Sequence, residues 1–291
     1  MKFAAIEAEK ARYPIEFMCG MLGVSRSGFY AWLGRPQSER ALADVRLGVE
    51  VAAAHEESKK RYGSPRVHAE LKARGHRLGR KRVARLMRER QLRARPKRRW
   101  KRTTDSNHRL PVAPNLLERD FKTSEPNQVW VADITYVWTR EGWLYLAAIL
   151  DLYARRVVGW AVSEQIDTEL CLSALRMALR ARRPAPGLVH HSDRGSQYAS
   201  RAYRAALDEA GLRCSMSRKG DCWDNAPAES FWSTLKAELV ELTTFDTRAQ
   251  AGVAVAQYIE LFYNRQRRHS VIDYRSPAEY ESICNQVRLA A

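Results

Sequence analysis

The spacing of apolar positions changes near residue 127. Before it, hydrophobic residues recur with helical period. Ile15, Phe17, Met18, Met21 and Leu22 suggest one apolar face, and Gly23 breaks it. Ser25 offers an N-cap, and Phe29, Tyr30, Trp32 and Leu33 continue the pattern. This predicts two short helices about a turn over 14–34, the outline of a helix-turn-helix, which serves DNA contact or core packing equally well. A third helix is expected over 39–60. Ser64 and Pro65 read as the cap and first residue of a fourth, with Val67, Leu71 and His68 inward and Gly75 as its stop. Leu78, Val83, Leu86, Met87 and Leu92 mark a fifth helix and a second helix-turn-helix. Residues 103–126, with Pro111, Pro114 and Pro126, read as a connector.

After residue 127 the pattern becomes β-branched and aromatic. Strands are predicted over 129–137, 143–152 and 156–162, joined so tightly that an antiparallel meander follows. A helix over 168–182, a strand over 187–192, a helix over 200–210 and a strand over 212–216 come next. Helices over 227–239 and 247–264 complete the order βββαβαβα.

Charge adds a partner to this outline. The chain of 291 residues carries a formal net charge of +17. Residues 66–102 hold 17 Lys and Arg against two acids, Glu70 and Glu89, so nearly all of the excess is local. Surface helices usually mix signs, and this one does not, which favours nucleic acid. The expected contacts are Arg80, Lys81, Arg82 and Arg85 on the fifth helix. Arg95, Lys97, Arg98, Arg99, Lys101 and Arg102 would add to them from an extended linker. The five cysteines are widely spaced and contain no C-x-x-C, against a disulfide framework or a zinc site. The first ten residues do not form a signal peptide, and the longest apolar run, 143–150, is too short to cross a bilayer. A cytoplasmic protein associated with the nucleoid through DNA is expected, with no membrane partner.

Three acids stand out in the second half. Asp133 lies inside an apolar strand pattern, where an unpaired carboxylate is costly. Asp193 follows a strand at a turn, and Asp-Arg-Gly is also an ordinary turn sequence. Glu229 falls in the first turns of a helix, where the dipole alone favours an acid. With Asn225 as cap, however, the capping-box position would be Ala228 and not Glu229. Three carboxylates on separate rigid elements suit a pair of hard divalent cations and phosphodiester chemistry.

The interval of 35 residues between Asp193 and Glu229 resembles that of the DDE transposases and retroviral-type integrases. The stretches Trp130–Tyr136, His191–Tyr198, Asp224–Lys236 and Tyr263–Ser270, with Tyr62-Gly-Ser-Pro-Arg66 and Ser276-Pro277, resemble more closely the second-frame product of the "IS three" group of bacterial insertion sequences. The likeness covers nearly the whole chain. It implies an α/β RNase H-like core, a mixed five-stranded sheet with helices on its faces, preceded by all-α helix-turn-helix units. The expected division is 1–60, 61–102, a connector 103–126, the core 127–245 and a helical extension 246–291. It further implies that Asp133, Asp193 and Glu229 bind two Mg²⁺ ions, with Mn²⁺ able to substitute. The implied activity is a transposase that binds element ends, cleaves the 3′ end and transfers the strand. Its partners would be double-stranded DNA, further copies of itself in a synaptic complex, and a first-frame product. Lys236 matches the family's basic residue seven after the glutamate, about two helical turns away on the same face, and suits a phosphate. Asn264, Arg265, Arg268 and His269 fall in a C-terminal motif open to DNA contact or packing. The segment 217–223 resembles a mobile loop. Asp273 stands where the family usually has Gly, which puts that turn in question. No HHCC-type zinc unit is present.

Overall fold

The computed structural model describes residues 1–94, 110–218 and 222–290. The linker residues Arg95, Lys97, Arg98, Arg99, Lys101 and Arg102 lie outside them, as do 219–221 of the expected loop.

The chain opens with α1 (Lys2–Glu9), α2 (Ile15–Leu22) and α3 (Arg26–Leu33) around Ile6, Met18, Cys19 and Phe29. Ser25 caps α3 by accepting from the Gly28 N–H at 3.0 Å, as expected. The apolar face of α2 differs from the expectation. Phe17 and Met21 are exposed, and Cys19 is buried beside Met18. Ile15, Met18, Cys19 and Leu22 form the i, i+3, i+4, i+7 stripe that a helix can bury, and Phe17 and Met21 fall outside it.

Helices α4 (Glu39–Glu57), α5 (Ser64–Ala73) and α6 (Arg80–Glu89) share a second core of Val51, Ala54, Tyr62, Val67, Leu71, Val83, Leu86 and Met87. The N-cap of α5 is Gly63 rather than Ser64, and no side chain caps it. Gly75 ends the helix region with φ of 88°, which a side chain would resist.

The core domain is a five-stranded sheet in the order β3-β2-β1-β4-β5. Strands β1 (Val129–Thr139), β2 (Gly142–Asp151) and β3 (Arg156–Ser163) form the expected antiparallel meander. Strands β4 (Val189–Ser192) and β5 (Arg213–Met216) extend it in parallel from β1. One face packs Trp130, Ala132 and Ile149 against α7 (Thr168–Arg182), α8 (Ser196–Ala199) and α9 (Arg201–Glu209). The other packs Val131, Val137, Leu146 and Leu150 against α10 (Ala226–Glu238) and α11 (Arg248–Gln257). This three-layer arrangement is an RNase H-like architecture. The helix expected over 247–264 is α-helical only to Gln257 and widens into a π-helix over Tyr258–Tyr263. The wider turn lets Tyr258, Ile259 and Tyr263 all reach the core. Helix α12 (Pro277–Ala290) returns to the meander, where its Glu281 accepts from Arg156 and Arg182.

Helix α7 lies close on β3 because Gly159 has no side chain. A Cβ there would collide with the Ala174 carbonyl and with Ala178. Gly159→Ala is therefore expected to destabilise the core by about 1–3 kcal/mol, read as a fall in melting temperature.

Candidate active site

Strand register places the two aspartates. The parallel pairing of β1 and β4 ends at Ala132 opposite Ser192. Asp133 and Asp193 are the next residues on each, at one level on neighbouring chains that run about 4.8 Å apart. Across the sheet Asp133 faces the small Ala148. Glu229 comes from the first turn of α10 and is exposed.

Each aspartate is held by donors. The Ile134 N–H meets Asp133 Oδ1 at 2.8 Å, and the Trp232 indole N–H meets Oδ2 at 2.9 Å. The Gly195 N–H meets Asp193 Oδ1 at 2.9 Å. Burial and then the neighbouring Asp193 push the Asp133 carboxyl well above the usual range, and Glu229 pushes the same way. The two hydrogen bonds to Asp133 oppose that rise without cancelling it. The three carboxylates thus act on one another. Among the described residues, however, no group of three or more His, Cys, Asp or Glu side chains is drawn close enough to hold a metal ion, this triad included.

Two residues hold α10 against β1, neither of which the sequence marked for that role. Asn225 occupies the N-cap position without capping; its amide N–H instead donates to the Ala132 carbonyl at 3.1 Å, one residue before Asp133. Trp232 lies three residues after Glu229, so its place on the same face was legible from helical period. The bond of Asn225 left no comparable signal. Buried Asp224 gathers the chain around them. It accepts from the Asn115 amide at 3.0 Å, from Arg119 at 3.2 Å and from the Arg218 backbone and guanidinium at 2.8–2.9 Å. Arg218 holds its carboxyl well below the usual range, with help from Arg119.

Lys236 is not a solvated surface lysine. Only 9% of it is exposed, and its ammonium sits 4.7 Å from the centre of the Tyr136 ring. Burial lowers its affinity for a proton, and Asp133 partly restores it.

The basic helix is more engaged than its composition suggests. Arg80 and Lys81 are exposed at the start of α6. Arg82 and Arg85 instead reach α4, at 2.7 and 2.6 Å from the Asp44 carboxylate. Arg85, then Arg82, hold that carboxyl below its usual range. The C-terminal motif also resolves largely into packing. The Asn264 amide bonds both the N–H and the carbonyl of Val157, at 3.0 and 2.9 Å. Arg268 pairs with Glu70 of α5 and Glu279 of α12, and His269 is buried against Tyr263. Arg265 is exposed. Asp273 takes the left-handed conformation, φ 55°, that a Gly would take with less strain.

Three layers of this order, with one carboxylate inside β1 and another just past the end of the parallel strand β4 beside it, define an integrase-type core, and sequence comparisons agree. Two families described as integrase core domains match residues 123–222 and 210–277, and a family described as an HTH-like domain matches 43–100. The chain is 51% identical to the 31 kDa protein of insertion element IS600 from Shigella sonnei, over 93% of this chain and 99% of that protein. It is 43% identical to transposase InsF of insertion sequence IS3A from Escherichia coli (strain K12), over 97% of this chain and 99% of that one. Among solved structures it is similar to the simian T-cell lymphotropic virus intasome. The TM-score is 0.46 and the identity 14%, over 78% of this chain and 73% of that one. The chain belongs to the IS3 family of transposases.

The histidines before Asp193 bear on stability. His190 meets the Tyr203 hydroxyl at 3.0 Å, and His191 meets Ser215 and Ser217 at 2.8 and 3.1 Å. Burial pushes them down to about 3 and about 4. The unfolded chain protonates these histidines near 6.5 and the fold does not. Their contribution is therefore full above that pH and falls as pH drops towards 4. Between pH 7 and pH 5 the loss is expected to be on the order of 2 kcal/mol per histidine. Unfolding curves across that range measure it, and His191→Gln should flatten the dependence.

Proposed function

We propose that this transposase binds the ends of its insertion sequence, hydrolyses the phosphodiester at each 3′ end and joins the freed 3′-hydroxyl to target DNA. The observation that carries this reading is the register of β1 and β4, whose parallel pairing stops at Ala132 and Ser192 and sets Asp133 and Asp193 at one level, with Glu229 acting on the Asp133 carboxyl.

An all-carboxylate donor set fits a hard divalent cation. Asp133, Asp193 and Glu229 would hold two Mg²⁺ ions, with Mn²⁺ able to substitute, and bound metal there would activate the attacking oxygen and stabilise the leaving one. The chain's own groups prepare the place. Trp232 and the Ile134 N–H orient Asp133, the Gly195 N–H orients Asp193, and Asn225 fixes the start of α10. Lys236, buried beside the Tyr136 ring and within the field of Asp133, meets a DNA phosphate next to the scissile one. In the first step water forms a bond to phosphorus and the 3′-oxygen leaves with a proton. In the second that 3′-hydroxyl gives up its proton and bonds to the phosphorus of a new phosphodiester, whose own 3′-oxygen leaves with a proton, and no covalent protein–DNA intermediate is required. The helical units supply end recognition, through Arg80 and Lys81, with the segment that carries Arg95, Lys97, Arg98, Arg99, Lys101 and Arg102. Arg82 and Arg85 serve the same surface after release from, or alongside, Asp44. Two or more copies bring the ends together in a synaptic complex, with the first-frame product as a further partner. The reaction takes place in the cytoplasm, on the nucleoid; among the described residues no helix is long and apolar enough to cross a membrane.

Incubating the protein with labelled element ends, a target plasmid and Mg²⁺ should yield cleaved and joined products. Asp193→Asn and Glu229→Gln should each lower both by roughly a thousandfold or more. Cleavage with no joined product would instead indicate a nuclease of the same fold, and unchanged activity in both variants would sink the triad.

A second test separates the carboxylates from the rest of the fold. Above the ordinary Asp range the charged Asp133 opposes folding, because its native affinity for a proton is raised. Asp133→Asn should raise the melting temperature of the metal-free protein. Mg²⁺ should stabilise the wild type, by about 2.7 kcal/mol at a hundredfold excess over its dissociation constant, and leave the variant unmoved.

A further inference from the structure

Between the second helical unit and the far end of α10 lies a cavity of about 340 Å³, with Lys60, Arg61, Arg66, Glu238, Ser270 and Tyr274 on its walls. Three cations face one space. Arg61 donates through Nε to the Glu238 carbonyl at 2.9 Å and lies 4.4 Å over the Phe262 ring. Arg66 donates through Nε to the Arg268 carbonyl at 2.9 Å and lies 5.9 Å over the Tyr62 ring. Neither guanidinium forms an ion pair among the described residues, and burial lowers the proton affinity of both, though an arginine remains charged at neutral pH. Partly desolvated cations with no directly paired carboxylate are costly, and an arriving anion lowers that cost.

The acid on the wall offsets them only in part, because Arg267 and Tyr258 already hold it. The Glu238 carboxylate is held by Arg267 at 2.8–3.1 Å and accepts the Tyr258 hydroxyl at 2.8 Å. Lys60 touches Glu56 at 3.4 Å on the exposed side of α4. The backbone on both walls is strained. Lys59 and Lys60 have φ of 54° and 62°, and Asp273 and Tyr274 have φ of 55° and 57°. Each such residue costs about 1–2 kcal/mol, and pairs of them gather where a ligand is clamped. Ala94, the last described residue before the basic linker, lies on the same wall.

We propose that this cavity takes a phosphate group of the DNA backbone, gripped by Lys60, Arg61 and Arg66. Guanidinium forks match phosphate oxygens in geometry as well as charge. Glu238 lies nine positions after Glu229 on α10, about 14 Å along the axis. A phosphate seated here registers the DNA between the helical unit and the carboxylates. This rests on the reading that the chain acts on DNA, and the test keeps the two apart.

Binding of the full-length protein to a mixed-sequence DNA duplex is measured against salt, for the wild type, Lys60→Gln, Arg66→Gln and a control, Arg176→Gln on α7. Both cavity variants should bind roughly tenfold more weakly, and each should lower the log–log salt slope by about one, while the control does neither. The Lys60 side chain is exposed and pairs with exposed Glu56, so its variant speaks even if Arg66→Gln fails to fold. Variants that bind like the wild type overturn the proposal. So does a cavity that serves only free anion, seen as stabilisation of the wild type by inorganic phosphate with DNA affinity unchanged in the variants. A wild type that binds no duplex overturns the DNA reading itself, and this proposal with it.

Discussion

Asp133, Asp193 and Glu229 approach one another only as far as the docking of α10 on β1 brings them, and like charge opposes the approach. Left alone, the carboxylates would separate, because each raises the cost of ionising the next. Asn225 fixes the start of the helix to the Ala132 carbonyl, and Trp232 fixes its second turn to Asp133. Phe231, Trp232 and Leu235 bury that helix against the sheet, so apolar packing offsets the electrostatic cost of the site. The same helix presents Glu229 to solvent at its first turn and buries Lys236 at its last.

The far end of α10 is tied as firmly as the near end. Glu238 and Arg267 form a buried, multiply hydrogen-bonded pair, and Arg267 outweighs burial to keep the Glu238 carboxyl below its usual range. Removing one partner of such a pair leaves a buried charge without compensation. Around it, Arg61, Tyr62 and Arg66 of the helical unit bond the Glu238, Gln266 and Arg268 carbonyls. The C-terminal motif is therefore a joint that couples the helical unit to the helix carrying Glu229. Its arginines and histidine, open to DNA contact or to packing when read along the chain, mostly face inward.

Charge shows the same contrast. The run from Arg66 to Arg102 reads as a single-sign surface. In the fold Arg74 pairs with Glu57 and Glu70, Arg82 and Arg85 pair with Asp44, and Arg66 bonds a main-chain carbonyl. The acids that answer these cations sit on α4 and α5, or across the joint, so a count along one segment overstates the free charge. Arg80, Lys81 and Arg88 remain on the exposed side of α6.

By itself the sequence determined what local periodicity and spacing can carry. The helix over Thr168–Arg182 was readable to the residue, because Asp167 accepts from the Leu170 N–H and the apolar positions keep one period. The meander was readable because its connections are too short for any other pairing. The three acids stood out because each sits in a distinct local setting at a characteristic interval. Tertiary structure alone decided which atoms meet. It brought Asp133 level with Asp193 through strand register. It turned Asn225 from a cap into a tether, and it widened the last core helix into a π-turn so that three large side chains could enter. The register joins residues 60 apart and the Asn225 tether joins residues 93 apart, and no local window along the chain contains both members of such a pair.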